Sequence, residues 1–272
     1  MRKGTTPRNP VIEREAAQSD IGCLVQSHHD AHLRPVIQPS DLSPIPQAEA
    51  PRDCRLCPRL VSLREDLRTG HPDWWNAPVP AFGDPDAWLA IVGLAPGKRG
   101  ANRTGRPFTG DYSGEIFFST LLKLGLARGT YRGEPGDDTT LLGTIVLNAV
   151  KCLPPNNKPI PQEVANCRNY LEDALGSLPK VRVVVALGQI AHSSTAKVLR
   201  STAATTKFAH GAEALTTDGR LLIASYHCSR QNTNTGRLSR KMFEAIFERA
   251  LEYRRGASSW ASLTQTSSTS RP

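Results

Sequence analysis

The sequence predicts an α/β fold, a parallel sheet covered by helices on both faces. Three observations predict it: short apolar runs stopped by glycine or polar residues, longer stretches with helical spacing, and a regular alternation between the two. Trp88 to Val92 is an apolar run ended by Gly93 and reads as a buried strand. Gly114 to Gly125 carries Ile116, Phe117, Thr120, Leu121 and Leu124 at helical spacing and ends on a glycine, as helices often do. Leu142 to Val150 is the second strand. Pro161 to Leu175 opens with Pro and then Glu, as a helix first turn does, and runs through Val164, Cys167 and Leu171. Val181 to Leu187 is a third strand, followed by a helix from Gln189 to Leu199, and Leu221 to Tyr226 is a fourth strand. The last helix, Leu238 to Arg254, has an apolar stripe at Met242, Ile246, Phe247 and Leu251.

The 272 residues suit one substantial domain with tails, and an apolar fraction of 39% is enough for a core. Residues 1–50 mix Pro, His, Ser and Asp without periodicity and read as a flexible N-terminal extension; 51–255 read as the domain, and the Ser/Thr-rich 256–272 as a flexible tail. A net charge of +9 favours a polyanionic partner, since a basic face gains affinity by releasing counterions from phosphates. A merely Arg-rich composition is the plainer alternative. The first residues contain no apolar stretch of the signal-peptide kind, and runs such as Val181 to Leu187 are far shorter than the roughly 20 residues a bilayer needs. The expectation is a cytoplasmic protein with no membrane partner, in which six cysteines are metal ligands or free thiols rather than disulfides.

Their spacing favours ligands. Cys54 and Cys57 are separated by two residues, which lets two thiolates bind one centre from a tight turn. Cys152 follows the second strand and Cys167 lies in the next helix, with PPNNKPIP between them to fold back. Together they supply four thiolates. Zinc and an iron–sulfur cluster both accept four; the wide, uneven spacing leans towards a cluster. Cys23 falls in the extension. Cys228 adjoins His227, but neighbours in an extended segment point to opposite faces, which argues against a Cys–His nucleophile.

In a parallel sheet, ligands bind beyond the carboxyl ends of the strands. Two unusual loops lie there, Gly93 to Gly114 and His227 to Gly236. Their motifs are GLAPG (Gly93 to Gly97), RTGRPFTGD (Arg103 to Asp111), NAVKCLPPNNKP (Asn148 to Pro159) and HCSRQNTNTGR (His227 to Arg237). In this order, after the leading cysteine pair, they resemble the uracil-DNA glycosylase superfamily, and within it the family-5, or type b, enzymes. The resemblance covers roughly residues 50–255. It implies a three-layer α/β/α fold with a four-stranded parallel sheet, a [4Fe–4S] cluster, and removal of uracil and other deaminated bases, hypoxanthine and xanthine among them, from double- and single-stranded DNA at the nucleoid. No obligate protein partner is evident.

The chemistry of the motifs can be reasoned independently. A base must flip out of the duplex before its glycosidic bond is reached, and unstacking costs a few kcal/mol. Phe108 is placed to stack on the extruded base; a core aromatic is the alternative. Gly93, Gly97, Gly105 and Gly110 let backbone approach the ligand closely, and the small Ala95 in a first loop without an acid suits a tolerant pocket. Negative charge develops on uracil O2 as the base leaves, and a donor aimed there is worth about 3–4 kcal/mol. By the resemblance, His227 is that donor. The first motif carries no acid, which matches type b, so Asp111 becomes the candidate for orienting water, with a helix N-cap as its competing role. Asn148 is placed to read the base edge, and Asn157 resembles an asparagine near the type b pocket, or is a plain turn residue. Ser229, Arg230, Gln231 and Asn232 form a polar loop to enter the groove, with Arg230 and Arg237 on phosphates. Two rivals fit less well. A non-enzymatic binding module leaves both loops without a purpose, and a nucleotide hydrolase lacks the Lys-Ser/Thr pair of a phosphate loop.

Overall fold

Residues 49–201 and 207–266 are described in this computed structural model, all within a unit spanning Ile37–Pro272. Side chains are described as far as Gly256. In chain order the elements are α1 (Pro58–Gly70), β1 (Phe82–Gly83), β2 (Leu89–Gly93), α2 (Ala101–Thr104), α3 (Tyr112–Lys123), β3 (Ala127–Arg128), β4 (Thr140–Leu141), β5 (Thr144–Asn148), α4 (Pro161–Gly176), β6 (Val183–Leu187), α5 (Gln189–Val198), β7 (Glu213–Leu215), β8 (Leu221–Ser225), α6 (Arg230–Asn234) and α7 (Arg240–Thr266).

The four expected strands pair in parallel in the order β5-β2-β6-β8. Every residue in them is buried, as expected of strands covered on both faces. Alternation divides them between two cores. Leu89, Ile91, Val146, Val183, Val185 and Ile223 face Phe117, Leu121, Phe243 and Phe247 from α3 and α7. Ala90, Val92, Ile145, Leu147, Val184 and Leu222 face Leu171, Leu175, Ala191 and Ala196 from α4 and α5. The architecture is three layers, α/β/α.

One expectation needs correction. The sheet has six strands and is mixed, not four and purely parallel: β1 joins β5 and β7 joins β8, both antiparallel. These edges are two and three residues long, too short for any periodicity to register. The last helix also runs on to Thr266, through the first part of the expected tail, because no proline stands between Arg240 and that point. At the other boundary Glu49 is already tied in, accepting the Ala81 amide at 2.7 Å and pairing with buried Lys151 at 2.6 Å. The rest of the expected extension, Cys23 included, lies outside the described residues. No described helix is long and apolar enough to cross a membrane.

Candidate active site and cysteine cavity

The parallel strands end together, so the loops that follow them converge. Gly93 closes β2 directly opposite Asn148, which closes β5. A methyl group on Gly93 would stand 2.7 Å from Asn148 Oδ1 and 3.3 Å from the Phe108 ring. That close approach requires glycine and brings three of the expected residues together. The Phe108 ring stacks on Phe117 at 4.2 Å and lies 5.8 Å from the His227 imidazole, which follows β8. Phe108 is thus both core and site: 9% exposed, yet beside Gly93, Asn148 and His227.

The Phe108 backbone is unusual. Its φ is +53°, a left-handed conformation that bulky residues rarely adopt and that costs about 1–3 kcal/mol. Tyr131 donates its hydroxyl to the Phe108 carbonyl at 2.9 Å. Burial pushes the Tyr131 phenol up to about 12, so it is a neutral donor at any working pH. Gly114 lies so close beneath that a methyl there would overlap both the Phe108 carbonyl oxygen and the Tyr131 hydroxyl. Behind the loop, buried Arg106 pairs with Asp137 through two bonds of 2.8 Å and stands over the rings of Phe82, Phe118 and Tyr131. Burial works against the Asp137 charge, but the Arg106 bonds prevail and hold its carboxyl at about 2.

Asp111 caps α3: its Oδ1 accepts the Gly114 amide at 3.2 Å. Its Oδ2 faces the first loop, 3.1 Å from where a methyl on Gly97 would stand. Burial raises the carboxyl above its usual range, and the helix amides of Gly114 and Ser113 oppose the shift. Burial also lowers the His227 imidazole to about 4, so it is neutral at pH 7. The His227 carbonyl accepts a 2.8 Å bond from Asn232 Nδ2, and the Ser229 hydroxyl caps α6 by accepting the Asn232 amide. Ser229 and Asn232 therefore shape the loop internally, while Arg230 and Gln231 are its exposed members. Arg230 stacks over Tyr112 at 4.9 Å and Arg237 over Tyr226 at 4.5 Å. Cys228 is fully buried, donates to the Ser113 carbonyl at 3.6 Å, and its thiol is pushed up by burial.

Two expected pocket residues lie elsewhere. Ala95 packs with Leu60, Val150, Val164 and Cys167. Asn157 is exposed in a 3-10 turn over Pro155–Asn157, its amide bonded to the Pro154 carbonyl at 3.0 Å, with a positive φ of 56°. No described contact brings it to the Phe108 group.

Cys54, Cys57, Cys152 and Cys167 do converge, on one cavity that is partly open to solvent and is also lined by Arg64 and Tyr170. Each sulfur has a polar neighbour. Tyr170 Oη is 3.9 Å from Cys54, Asn166 Nδ2 is 3.6 Å from Cys57, Arg64 Nη1 is 3.9 Å from Cys152, and the Lys151 amide donates to Cys167 at 3.3 Å. Burial, reinforced by the neighbouring sulfurs, pushes Cys152 to about 12 and Cys167 to about 11. Buried thiols such as these two ionise together only around a cation, which a bound metal group provides. The residues fit a thiolate-held group. Among the described residues no group of three His, Cys, Asp or Glu side chains is placed to hold a single metal ion.

A fold of this kind, with a histidine, an asparagine and a strained phenylalanine gathered where the parallel strands end, has a clear kinship. The family model of the uracil-DNA glycosylase superfamily matches residues 80–251, and the chain belongs to that superfamily. It is 48% identical to the type-5 uracil-DNA glycosylase of Thermus thermophilus over 202 residues, covering 72% of this chain and 91% of that one. Identity to the type-5 enzyme of Pyrobaculum aerophilum is 41%, with coverage of 73% and 88%. The type-4 enzyme of the same organism is 37% identical over 113 residues, only 41% of this chain and 50% of that one. Similarity thus runs through the full body for type 5 and through about half of it for type 4.

Several residues of the site were not foreseen: Tyr131, Gly114, Tyr112, Arg106 with Asp137, Arg64 and Tyr170. Arg64 had a readable signal, since Leu60, Arg64 and Leu67 share one face of α1. Tyr131 had none, because its partner is a backbone carbonyl 23 residues away. Gly114→Ala should displace the Phe108 carbonyl, lower the thermal midpoint by the equivalent of about 1–3 kcal/mol for overpacking, and slow base excision. Unchanged excision by a folded variant would show that the Phe108 conformation is not needed.

Proposed function

We propose that the protein is a monofunctional DNA glycosylase of base-excision repair that hydrolyses uracil from DNA and leaves an abasic site. The observation that carries this reading is the convergence of Gly93, Phe108, Asn148 and His227 at the ends of the parallel strands, in a chain so similar to type-5 uracil-DNA glycosylases.

The extruded base rests beside Phe108, and the Asn148 amide reads its edge. As the C1′–N1 bond breaks, its electron pair moves onto the uracil ring and charge gathers on O2. A neutral imidazole N–H of His227 stabilises that charge, as a donor in a dry site does best. Water adds to C1′, oriented by Asp111, and its proton passes to that carboxylate or to solvent. Between its glycines the first loop holds only Leu94, Ala95 and Pro96. With no acid there to discriminate, the substrate range extends to hypoxanthine and xanthine. A single strand presents its bases without unpairing, so both single- and double-stranded DNA serve, which places the protein at the nucleoid. The activity resides in residues 51–255, with the extension and tail outside it.

Cys54, Cys57, Cys152 and Cys167 would hold a [4Fe–4S] cluster. Support comes from the shared cavity, the polar neighbour on each sulfur, and the wide, uneven spacing of the four cysteines along the chain. When bound, the cluster supplies structural bracing, because hydrolysis of a glycosidic bond moves no electrons.

The test is a strand-cleavage assay for abasic product on a uracil-containing duplex. His227→Ala should lower the single-turnover rate by at least about tenfold while leaving DNA affinity nearly intact; equal loss of both would assign His227 to folding. The rate should be flat from about pH 8 to pH 6, because the imidazole is held neutral down to about 4. An inflection near 6.5 would mean a charged donor. Stability follows the opposite side of the same linkage. Between pH 6.5 and about 4 the unfolded chain takes a proton that folded His227 refuses, so stability falls as pH is lowered across that window. Arg230→Gln and Arg237→Gln should each reduce the slope of log affinity against log salt by about 1; slopes equal to that of the unmodified protein would remove both from the phosphate contact.

A further inference from the structure

Arg64 is a buried guanidinium that makes no ion pair with a carboxylate among the described residues. It lies on α1 one turn after Leu60, on the face that follows Cys57, and is 6% exposed. Its Nη2 donates to the Cys54 carbonyl at 2.9 Å, its Nη1 lies 3.9 Å from Cys152 Sγ, and its Nε is buried with no acceptor. Among the described residues no carboxylate pairs with it. Asp53, the acid that feels its field, is exposed and pairs through Oδ1 with Arg68 at 2.7 Å. The neighbouring cations are matched: Arg59 by Glu163 through bonds of 2.7 and 2.8 Å, and Lys151 by Glu49 at 2.6 Å.

A buried cation left without a counter-charge is strongly unfavourable. The fold tolerates this one, so an anion belongs where Arg64 points, and Arg64 lines the cysteine cavity. Four thiolates carry more negative charge than an iron–sulfur core carries positive charge, so the assembly they form is a net anion. We infer that Arg64 is the counter-charge of the cysteine-held group, pairing electrostatically with it and keeping it in place. The inference rests on the cluster proposed above. It makes Arg64 a positioning residue for the cofactor, with no contact to DNA required.

The experiment begins with iron and acid-labile sulfide in the unmodified protein; absence of both would remove the cluster reading itself before any variant is made. Holoprotein carrying Arg64→Lys, Arg64→Gln or Arg64→Met is then exposed to the ferrous chelator 2,2′-bipyridyl, and loss of the iron–sulfur absorbance is timed. Loss should be at least about tenfold faster in the Gln and Met variants, as for other groups that support metal ligands, and within about threefold of the unmodified rate in the Lys variant. Equal lifetimes in all four proteins would overturn the inference. So would a Lys variant as labile as the Gln variant, since that would assign the effect to guanidinium packing. If Arg64→Met does not fold, the Lys–Gln pair alone decides, because both keep a polar, flexible side chain.

Discussion

The pairing of β2 with β5 does not stop where the strands stop. Beyond the last paired position, Gly93 with Asn148, the Ala149 amide donates to the Gly93 carbonyl and the Val150 amide to the Leu94 carbonyl, both at 2.9 Å. The next residue, Lys151, gives its amide to Cys167 Sγ and its carbonyl to the Val79 amide. One short segment, 148–152, therefore carries the Asn148 amide into the proposed base site and Cys152 into the cysteine cavity. Ala95 sits on the same hinge, continuing from Gly93 and Leu94 to pack against Val150 and Cys167. A shift in this segment must move both sites, since its backbone hydrogen bonds leave little slack.

The second constraint is the conformation of Phe108. A left-handed aromatic residue persists only where its surroundings over-determine it. A strain of about 1–3 kcal/mol exceeds the 0.5–1.5 kcal/mol or so of a single hydrogen bond, so Tyr131 alone does not hold it. The Phe117 stack, the close approach of Gly114 and the buried Arg106–Asp137 pair behind the loop share the task. Breaking that pair by removing one partner leaves an uncompensated buried charge. Residues far from any base thus govern where the proposed stacking ring lies.

Most of the architecture was legible from the chain. The four central strands and the helices between them announce themselves by apolar runs and helical spacing, because burial on both faces leaves no polar interruption. The edges β1 and β7 were not legible, being too short to express a period. Gly93, Asn148 and His227 lie at or just after the carboxyl ends of parallel strands, where the rule that loops gather there puts them. Asn157, expected near the base site from the resemblance, lies exposed in the turn at Pro155–Asn157, and Ala95, expected there for its small size, packs beside Val150. A support such as Tyr131 acts through a backbone carbonyl 23 residues away, and no local pattern records such a partner.

Asp111 shows why a structural and a chemical role need not compete. A carboxylate that caps a helix uses one oxygen, and here Oδ1 takes the Gly114 amide while Oδ2 is turned to the loop at Gly97. The helix N-terminus favours its charged form, and burial disfavours it, leaving the carboxyl raised. A proton acceptor works best when its affinity lies nearer the working pH than that of a fully solvated acid, provided it stays ionised. The two opposing influences act on Asp111 from the same position. The cap also fixes the side chain, so the free oxygen has a defined direction without a further partner. In a family member whose first motif carries no acid, the helix start after the second motif is the place where a water-orienting carboxylate can be both ionised and rigid.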